Sequence, residues 1–381
     1  MNAPSGNDSS FSLEISDRAP DDWDHLLSRD PAAEYTHTRY WTDAVCDHLA
    51  GAQALWVTLR KSGELVGGLS AVRRSLRRKV LGLPLGFTRL ASSFEGTSGG
   101  PVVAGDLAVP VQERVFGDLV DGLAEQNRGV LGSCALVLSP VQEKKFGPLM
   151  GRFPRWTRQE APTALVSLAG GIDQVDRERL VMNKRNERNR GLRRGAEVFA
   201  TDDAQLLARY YRIYERAADL WGIEPVPAGL LQALLRDEQG RVFFTCVRLE
   251  GQVIGGHLNL HYGDKVLAWN GVTDPRFART HFPATLCFWG DMVEACRRNA
   301  RWLDLGGSGS VGSLAGFKKY FGAELRVRGL YTRDSWGAGL VRKGHRAWRN
   351  RRAGAGGRRW HDGVAKKPSA SSSGNRNGAG S

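Results

Sequence analysis

Arg301-Trp302-Leu303-Asp304-Leu305-Gly306-Gly307 leads through a Ser/Gly loop into Ser313-Leu314-Ala315-Gly316-Phe317-Lys318-Lys319-Tyr320-Phe321-Gly322. Trp302, Leu303 and Leu305 make a short apolar run halted by two glycines, the pattern of a buried strand entering a turn. Ser313 is placed to cap a short helix through its hydroxyl. Leu314, Phe317 and Phe321 recur at helical spacing and so share one face. Gly322 suits the left-handed position that follows a helix. Lys318, one turn beyond Leu314, falls on the border of the buried face.

Upstream of this stretch, Ala284 to Ala300 reads as a helix with Leu286, Trp289, Val293 and Cys296 on one face, and Lys265 to Asn270 reads as a strand. Before them comes a strand–turn–strand: Phe243 to Leu249, the turn Glu250-Gly251-Gln252, then Val253-Ile254-Gly255-Gly256-His257-Leu258-Asn259-Leu260. The same arrangement occurs half a chain earlier, in Ala54 to Arg60, Lys61-Ser62-Gly63-Glu64 and Leu65-Val66-Gly67-Gly68-Leu69-Ser70-Ala71-Val72. Both read as β-hairpins with a glycine pair just after the turn. One duplication of a long unit predicts two copies of an α/β (α+β) module, not a solenoid. Each copy is expected to be a mixed, mostly antiparallel sheet flanked by helices. Residues 1–160 form the first expected unit, 161–335 the second and 336–381 a tail. Between the hairpins, Thr201 is expected to cap a helix reaching Trp221, with Leu206, Tyr210, Ile213 and Tyr214 facing inward. Trp41 reads as a core aromatic.

The 381 residues carry a formal net charge of +14. Twelve Lys/Arg against two Asp lie from Arg333 onward, so most of the excess sits in the tail. That tail is rich in Gly, Arg, Ser and Asn and has too little apolar surface to offset the entropy of ordering, so disorder is expected there. It is a candidate contact for RNA or an acidic membrane. No apolar run approaches the ~18 residues of a membrane span, and Met1 to Ser10 lacks the apolar centre of a secretory signal. The five cysteines are scattered without a CxxC pair, which predicts reduced thiols and a cytoplasmic protein. No histidine pair has metal-ligand spacing, and neither a GxSxG motif nor a P-loop occurs.

A second basic stretch, Arg177 to Arg194, holds eight Lys/Arg and two Glu. Lys184 and Arg188 stack on one helix face. Their reading is open between a solvated surface and guanidinium forks, Arg185 and Arg188 among them, that grip phosphate or carboxylate.

The order Asp-Leu-Gly-Gly, loop, Leu-x-x-Phe-Lys-x-x-Phe-Gly at 304–322 resembles the C-terminal end of FemAB-like acyltransferases, tandem relatives of the GNAT N-acyltransferases that include BioF-like acetyltransferase domains. The segment Lys184 to Gly195 resembles the basic helix that leads into their second unit, and Gly99-Gly100-Pro101 a turn of their first. The resemblance implies an N-acyltransferase in which an amine attacks an activated acyl carbonyl directly. The co-substrate would be acyl-CoA such as acetyl-CoA, with no permanently bound cofactor. The acceptor would be a small-molecule or cell-envelope amine. The alternative is aminoacyl transfer from charged tRNA to a peptidoglycan precursor, and a carrier protein is a third donor. One departure is plain: the glycine-rich pyrophosphate loop of acetyl-CoA-binding GNATs is missing. Its place holds Asp274-Pro275-Arg276-Phe277-Ala278-Arg279, with Arg276 and Arg279 as candidate cofactor-binding cations.

Such a reaction needs a base and an oxyanion stabiliser. The resemblance implies a cleft between splayed strands Ala268–Val272 and Trp302–Leu305, lined by Trp269, Asn270, Asp304 and the Gly306-Gly307 turn, with Phe317 and Lys318 as the family's Phe-Lys pair. Asp304 reads equally as a base or as a fixer of its loop. His257, on the same strand face as Asn259, reads as a base or as a packed imidazole. Lys318 reads as a cation over the cleft or as a snorkelling side chain.

Overall fold

The computed structural model describes residues 10–80, 83–94, 96–127, 130–307 and 312–340; the side chains of 76–80, 83–85 and 313 lie outside that description, as do the proposed Ser313 cap and the tail beyond 340. Fifteen strands are described: β1 (Phe11–Ser16), β2 (Ala52–Lys61), β3 (Glu64–Val80), β4 (Leu83–Ala91), β5 (Val102–Val103), β6 (Gly132–Leu138), β7 (Thr157–Glu160), β8 (Thr163–Ser167), β9 (Ala196–Thr201), β10 (Val242–Leu249), β11 (Gln252–Tyr262), β12 (Lys265–Thr273), β13 (Trp302–Gly307), β14 (Glu324–Arg326) and β15 (Gly329–Asp334).

They form two mixed sheets. The first runs β1-β2-β3-β4-β6-β15-β7, with β5 on β3, and the second β14-β8-β13-β12-β11-β10-β9. Written outward from the first strand of each, the orders match position by position. β8 stands between β13 and β14 just as β15 stands between β6 and β7. The first sheet therefore takes its penultimate strand, β15, from beyond residue 160, whereas all seven strands of the second sheet lie within 161–335. Both sheets lie within one compact unit.

The hairpin duplication extends to backbone detail. Ser62-Gly63 and Glu250-Gly251 all have positive φ, the two-residue turn whose twist suits a hairpin. Each hairpin also has a register shift near its turn, at Leu59/Arg60 and at Val247/Arg248. Gly68 lets the Trp23 ring approach to 2.2 Å of where a Cβ would stand, so the first helix seats directly on β3.

The helix Ala204–Trp221 is capped by Asp203, whose carboxylate accepts from Gln205 N and Leu206 N; Thr201 instead ends β9. Thr201 was the wrong choice because pairing with Phe244 holds it in the ladder, and a carboxylate at the helix start also suits the dipole. Its predicted apolar face is buried. The helix Pro283–Arg297 is rotated from expectation. Leu286 is buried, but Val293 is 40 % exposed, and the inward face continues through Cys287, Phe288, Asp291, Met292 and Ala295. Trp41 is buried in a core that also contains Val45, Tyr210, Leu230, Leu258 and Leu267. All five cysteines are free. Among the described residues no helix is long and apolar enough to cross a membrane.

Candidate active site

β12 and β13 run parallel and pair at three positions only, Lys265–Trp302, Val266–Leu303 and Leu267–Asp304. Beyond Leu267 they part. Two irregularities accompany the divergence. In β12 the register skips Trp269, because Leu258 pairs with Asn270 and Asn259 with Ala268; such a bulge re-aims the side chains around it. In β13 the pairing with β8 breaks between Asp304 and Gly307, and Gly306 takes φ +76°, a conformation natural to glycine.

The gap opens into a cavity of about 530 Å³, within the range of small-molecule sites. Trp269, Ala268, Leu267 and Gly271 of β12 line one wall; Leu305, Gly306 and Gly307 line another. His257, Phe288, Leu314, Lys318, Arg328, Gly96 and the segment Glu160–Pro162 complete it. Five predicted site residues thus meet around one space: His257, Trp269, Gly306, Gly307 and Lys318.

The Gly306-Gly307 turn is held from two sides. Asp304, 3 % exposed, accepts from Gly306 N at 2.8 Å and from the Thr163 hydroxyl. Lys318, 4 % exposed, donates to Gly306 O at 2.9 Å and Gly307 O at 2.8 Å. Burial pushes the Lys318 ammonium down to about 8, with Asp304 pulling it upward and Arg328 pushing it further down. Asp304 is not among the cavity-lining residues; its oxygens belong to the turn.

His257 is held differently. Its Nδ1 lies 2.5 Å from Asp291 Oδ2. Asp291 is fully buried, and its other oxygen accepts from Asn259 Nδ2 at 2.9 Å. A carboxylate partner assigns the proton to Nδ1 and leaves the lone pair on Nε2. The imidazole lies over Gly271, whose missing Cβ would stand 2.1 Å from Cδ2 and 2.6 Å from Nε2. The result is a cavity-lining histidine backed by a buried aspartate. Reading the sequence missed Asp291 because the helix was phased one step wrong. The signal was present: an acid on the inward stripe of an otherwise apolar helix.

The remaining predicted residues lie elsewhere. Asn270 turns toward the Tyr210 hydroxyl, which donates to its Oδ1 at 2.7 Å, and does not line the cavity. Phe317 packs with Phe288 and Phe321. Lys184 pairs with Glu187 at 2.7 Å and sits over the Phe317 ring. Arg188 pairs with Asp176 at 2.7 Å and stacks on Trp289. Arg185, half-buried beside them, does not line the cavity either. Lys184 and Arg188 are thus the anchors of their helix, Met182–Arg193. Arg276 clamps Asp274 at 2.7 Å, and Arg279 is exposed.

Residues 179–319 match the family model described as acetyltransferase (GNAT) domain. This stretch includes the diverging strands and all but one of the cationic cavity residues. The stretch that frames the cavity is therefore similar to a GNAT acetyltransferase domain. The fold as a whole is similar to that of FemX, whose crystal structure matches with a TM-score of 0.64 at 14% identity, covering 86% of this chain and 99% of that one. A conserved protein of unknown function from Bacteroides thetaiotaomicron matches at 0.53, with 10% identity and coverage of 84% and 100%. The C-terminal domain of a putative lysylphosphatidylglycerol synthetase from Agrobacterium fabrum matches at 0.52, with 13% identity and coverage of 84% and 92%. None of the curated proteins compared matches this chain.

Proposed function

We propose that the enzyme forms an amide by direct attack of an amine on an activated acyl group in the cavity between β12 and β13. His257 Nε2 takes the ammonium proton, and Asp291 orients the ring and steadies the imidazolium that results. The ammonium of Lys318 and the peptide groups of the Gly306-Gly307 turn set the electrostatics at the acyl carbonyl, and Asp304 is the residue that shapes that turn. Trp269 forms the apolar wall. The observation that carries this reading is the His257–Asp291 pair lining the space that the parting strands open.

Acyl-CoA is the first donor to consider. Pro275 and Pro283 remove backbone N–H groups where a glycine-rich cradle would otherwise form. Side chains would have to take over that role. Arg279 is exposed there, Arg194 donates to Thr280 O at 2.7 Å, and Arg190 lies over the Phe282 ring. The second reading, transfer from aminoacyl-tRNA, is favoured by the likeness to FemX and by the absence of that cradle. The acceptor on either reading is a small-molecule or cell-envelope amine, and the free cysteines suit a cytoplasmic setting.

The donor is tested by supplying an amine panel with a series of acyl-CoA esters and, separately, with aminoacyl-tRNA. Release of free thiol coupled to amide formation supports the first reading. Activity that requires charged tRNA and is abolished by RNase supports the second. Amide formation from neither donor would contradict the proposal.

A further inference from the structure

Beside Lys318, which the transfer step uses, the cavity holds a second buried cation that the step does not use. Lys318 and Arg328 both line it and are only 4 % and 5 % exposed. Neither has a carboxylate in ion-pair contact among the described residues. Lys318 donates to the carbonyls of Gly306 and Gly307. Arg328 donates through Nε to Ala161 O at 3.1 Å and through Nη1 to Gly96 O. Its Nη2 lies 2.9 Å from where a Cβ on Gly307 would stand, against the same turn that Lys318 holds. The two cations therefore flank one turn.

The nearby acids do not neutralise them. Asp304 is engaged by Thr163 and Gly306 N. Glu160, at the rim, is paired with Arg158 at 3.1 Å. Burying one unpaired cation is costly, and two side by side repel each other as well. Burial lowers the proton affinity of Lys318, and Arg328 lowers it a little further. Carbonyl dipoles offset part of the cost. A ligand carrying the opposite charge would offset the rest.

We propose that Lys318 and Arg328 form a recognition site for an oxyanion group, a carboxylate or a phosphate, carried by a substrate of the transfer reaction. This rests on the cavity being the transfer site and narrows the substrate to an anionic one. The guanidinium contributes a directed N–H and the ammonium a second charge, so one terminal group touches both. Gly307 belongs to the site, because any side chain there would meet Arg328.

The test is binding without turnover. The full chain is titrated calorimetrically with inorganic phosphate and with malonate, at ionic strength matched with chloride. At least one is expected to bind saturably at a single site, and the tighter of the two identifies the group. Arg328→Gln should weaken that binding about tenfold or more, whereas Arg152→Gln, at an exposed site of the first unit, should leave it unchanged. Because Arg328→Gln removes contacts to Gly96 and Ala161, Lys318→Met serves as a second variant. A third readout needs no variant: saturating anion should slow acylation of Lys318 in the wild-type chain by N-hydroxysuccinimidyl acetate, followed by peptide mass. No saturable binding of either anion, affinity unchanged in both variants, or a Lys318 labelling rate indifferent to the anion would each overturn the proposal. No readout depends on the enzyme's own turnover, so this result is separable from that of the donor assay.

Discussion

Asp291 holds His257 from behind: one carboxylate oxygen lies 2.5 Å from Nδ1, and the other is fixed by Asn259. The carboxylate is fully buried and comes from a helix, while the imidazole comes from a strand. Asp291→Asn would keep the shape but let Nδ1 face an amide, which tolerates the wrong tautomer. It should lower kcat by about 10²-fold, the low end of general-base contributions, with KM nearly unchanged. Steady-state kinetics at saturating donor check this.

Gly271→Ala should act on the same proton acceptor from the other side. A Cβ there would stand 2.1 Å from His257 Cδ2, so the ring must tilt. The expected outcome is a loss of kcat comparable to that of Asp291→Asn and a fall in stability of about 1–3 kcal/mol from overpacking. Denaturant unfolding paired with kinetics separates the two effects.

Asp304 and Lys318 grip opposite sides of one turn, the first on an N–H and the second on two carbonyls. Asp304→Ala leaves the Gly306 N–H and the Thr163 hydroxyl without their acceptor. A charged hydrogen bond lost from a buried site costs about 1.5–3 kcal/mol. Equilibrium unfolding of the variant should show a loss of that size.

Lys318 also predicts a pH dependence. Its proton affinity in the fold is pushed down to about 8, from an ordinary value of 10.5. Between those values the unfolded chain holds a proton that the folded chain has released. Stability from this group therefore rises with pH across the window from about 8 to about 10.5, and its burial cost is fully present below 8. Lys318→Met removes that rise. Measured at several pH values from 7 to 10.5, the melting temperature of the wild type relative to that of the variant should rise through this window; a difference independent of pH would contradict the assignment.

The placement of β15 bears on folding. A fragment ending at residue 160 lacks β15, which pairs with β6 and β7, whereas a fragment starting at 161 keeps every strand of the second sheet and leaves β15 without its partners. The first fragment would expose the open edges of β6 and β7. Expressed separately, it should lack a cooperative thermal transition by circular dichroism, whereas the intact chain should melt cooperatively.

Much of this architecture was legible in the sequence. The duplicated hairpins, with glycines at matching places, announced two sheets, and the Leu303–Phe321 stretch announced the strand, turn and helix that hold Lys318. Hydrophobic periodicity could do this because it reports which face is buried. It could not reveal that β15 joins the first sheet, because a strand's pattern does not name its neighbours. It misplaced Asn270, since a bulge at Trp269 turns alternating positions away from the expected wall. It missed Arg328, an isolated arginine whose significance lies in the absence of a nearby carboxylate. The basic helix misled in the opposite sense: Lys184 and Arg188 looked available, yet each had an acid waiting within its own fold.

The most direct measurement is the acyl-transfer rate of His257→Gln, in protein shown by its melting transition to be folded, with whichever donor the wild-type enzyme uses. The account predicts a fall in kcat of about 10²–10⁴-fold that is partly recovered as pH rises and the amine loses its proton unaided. A rate within a few-fold of wild type at neutral pH would contradict the assignment of the proton acceptor, and with it the placement of the reaction between β12 and β13.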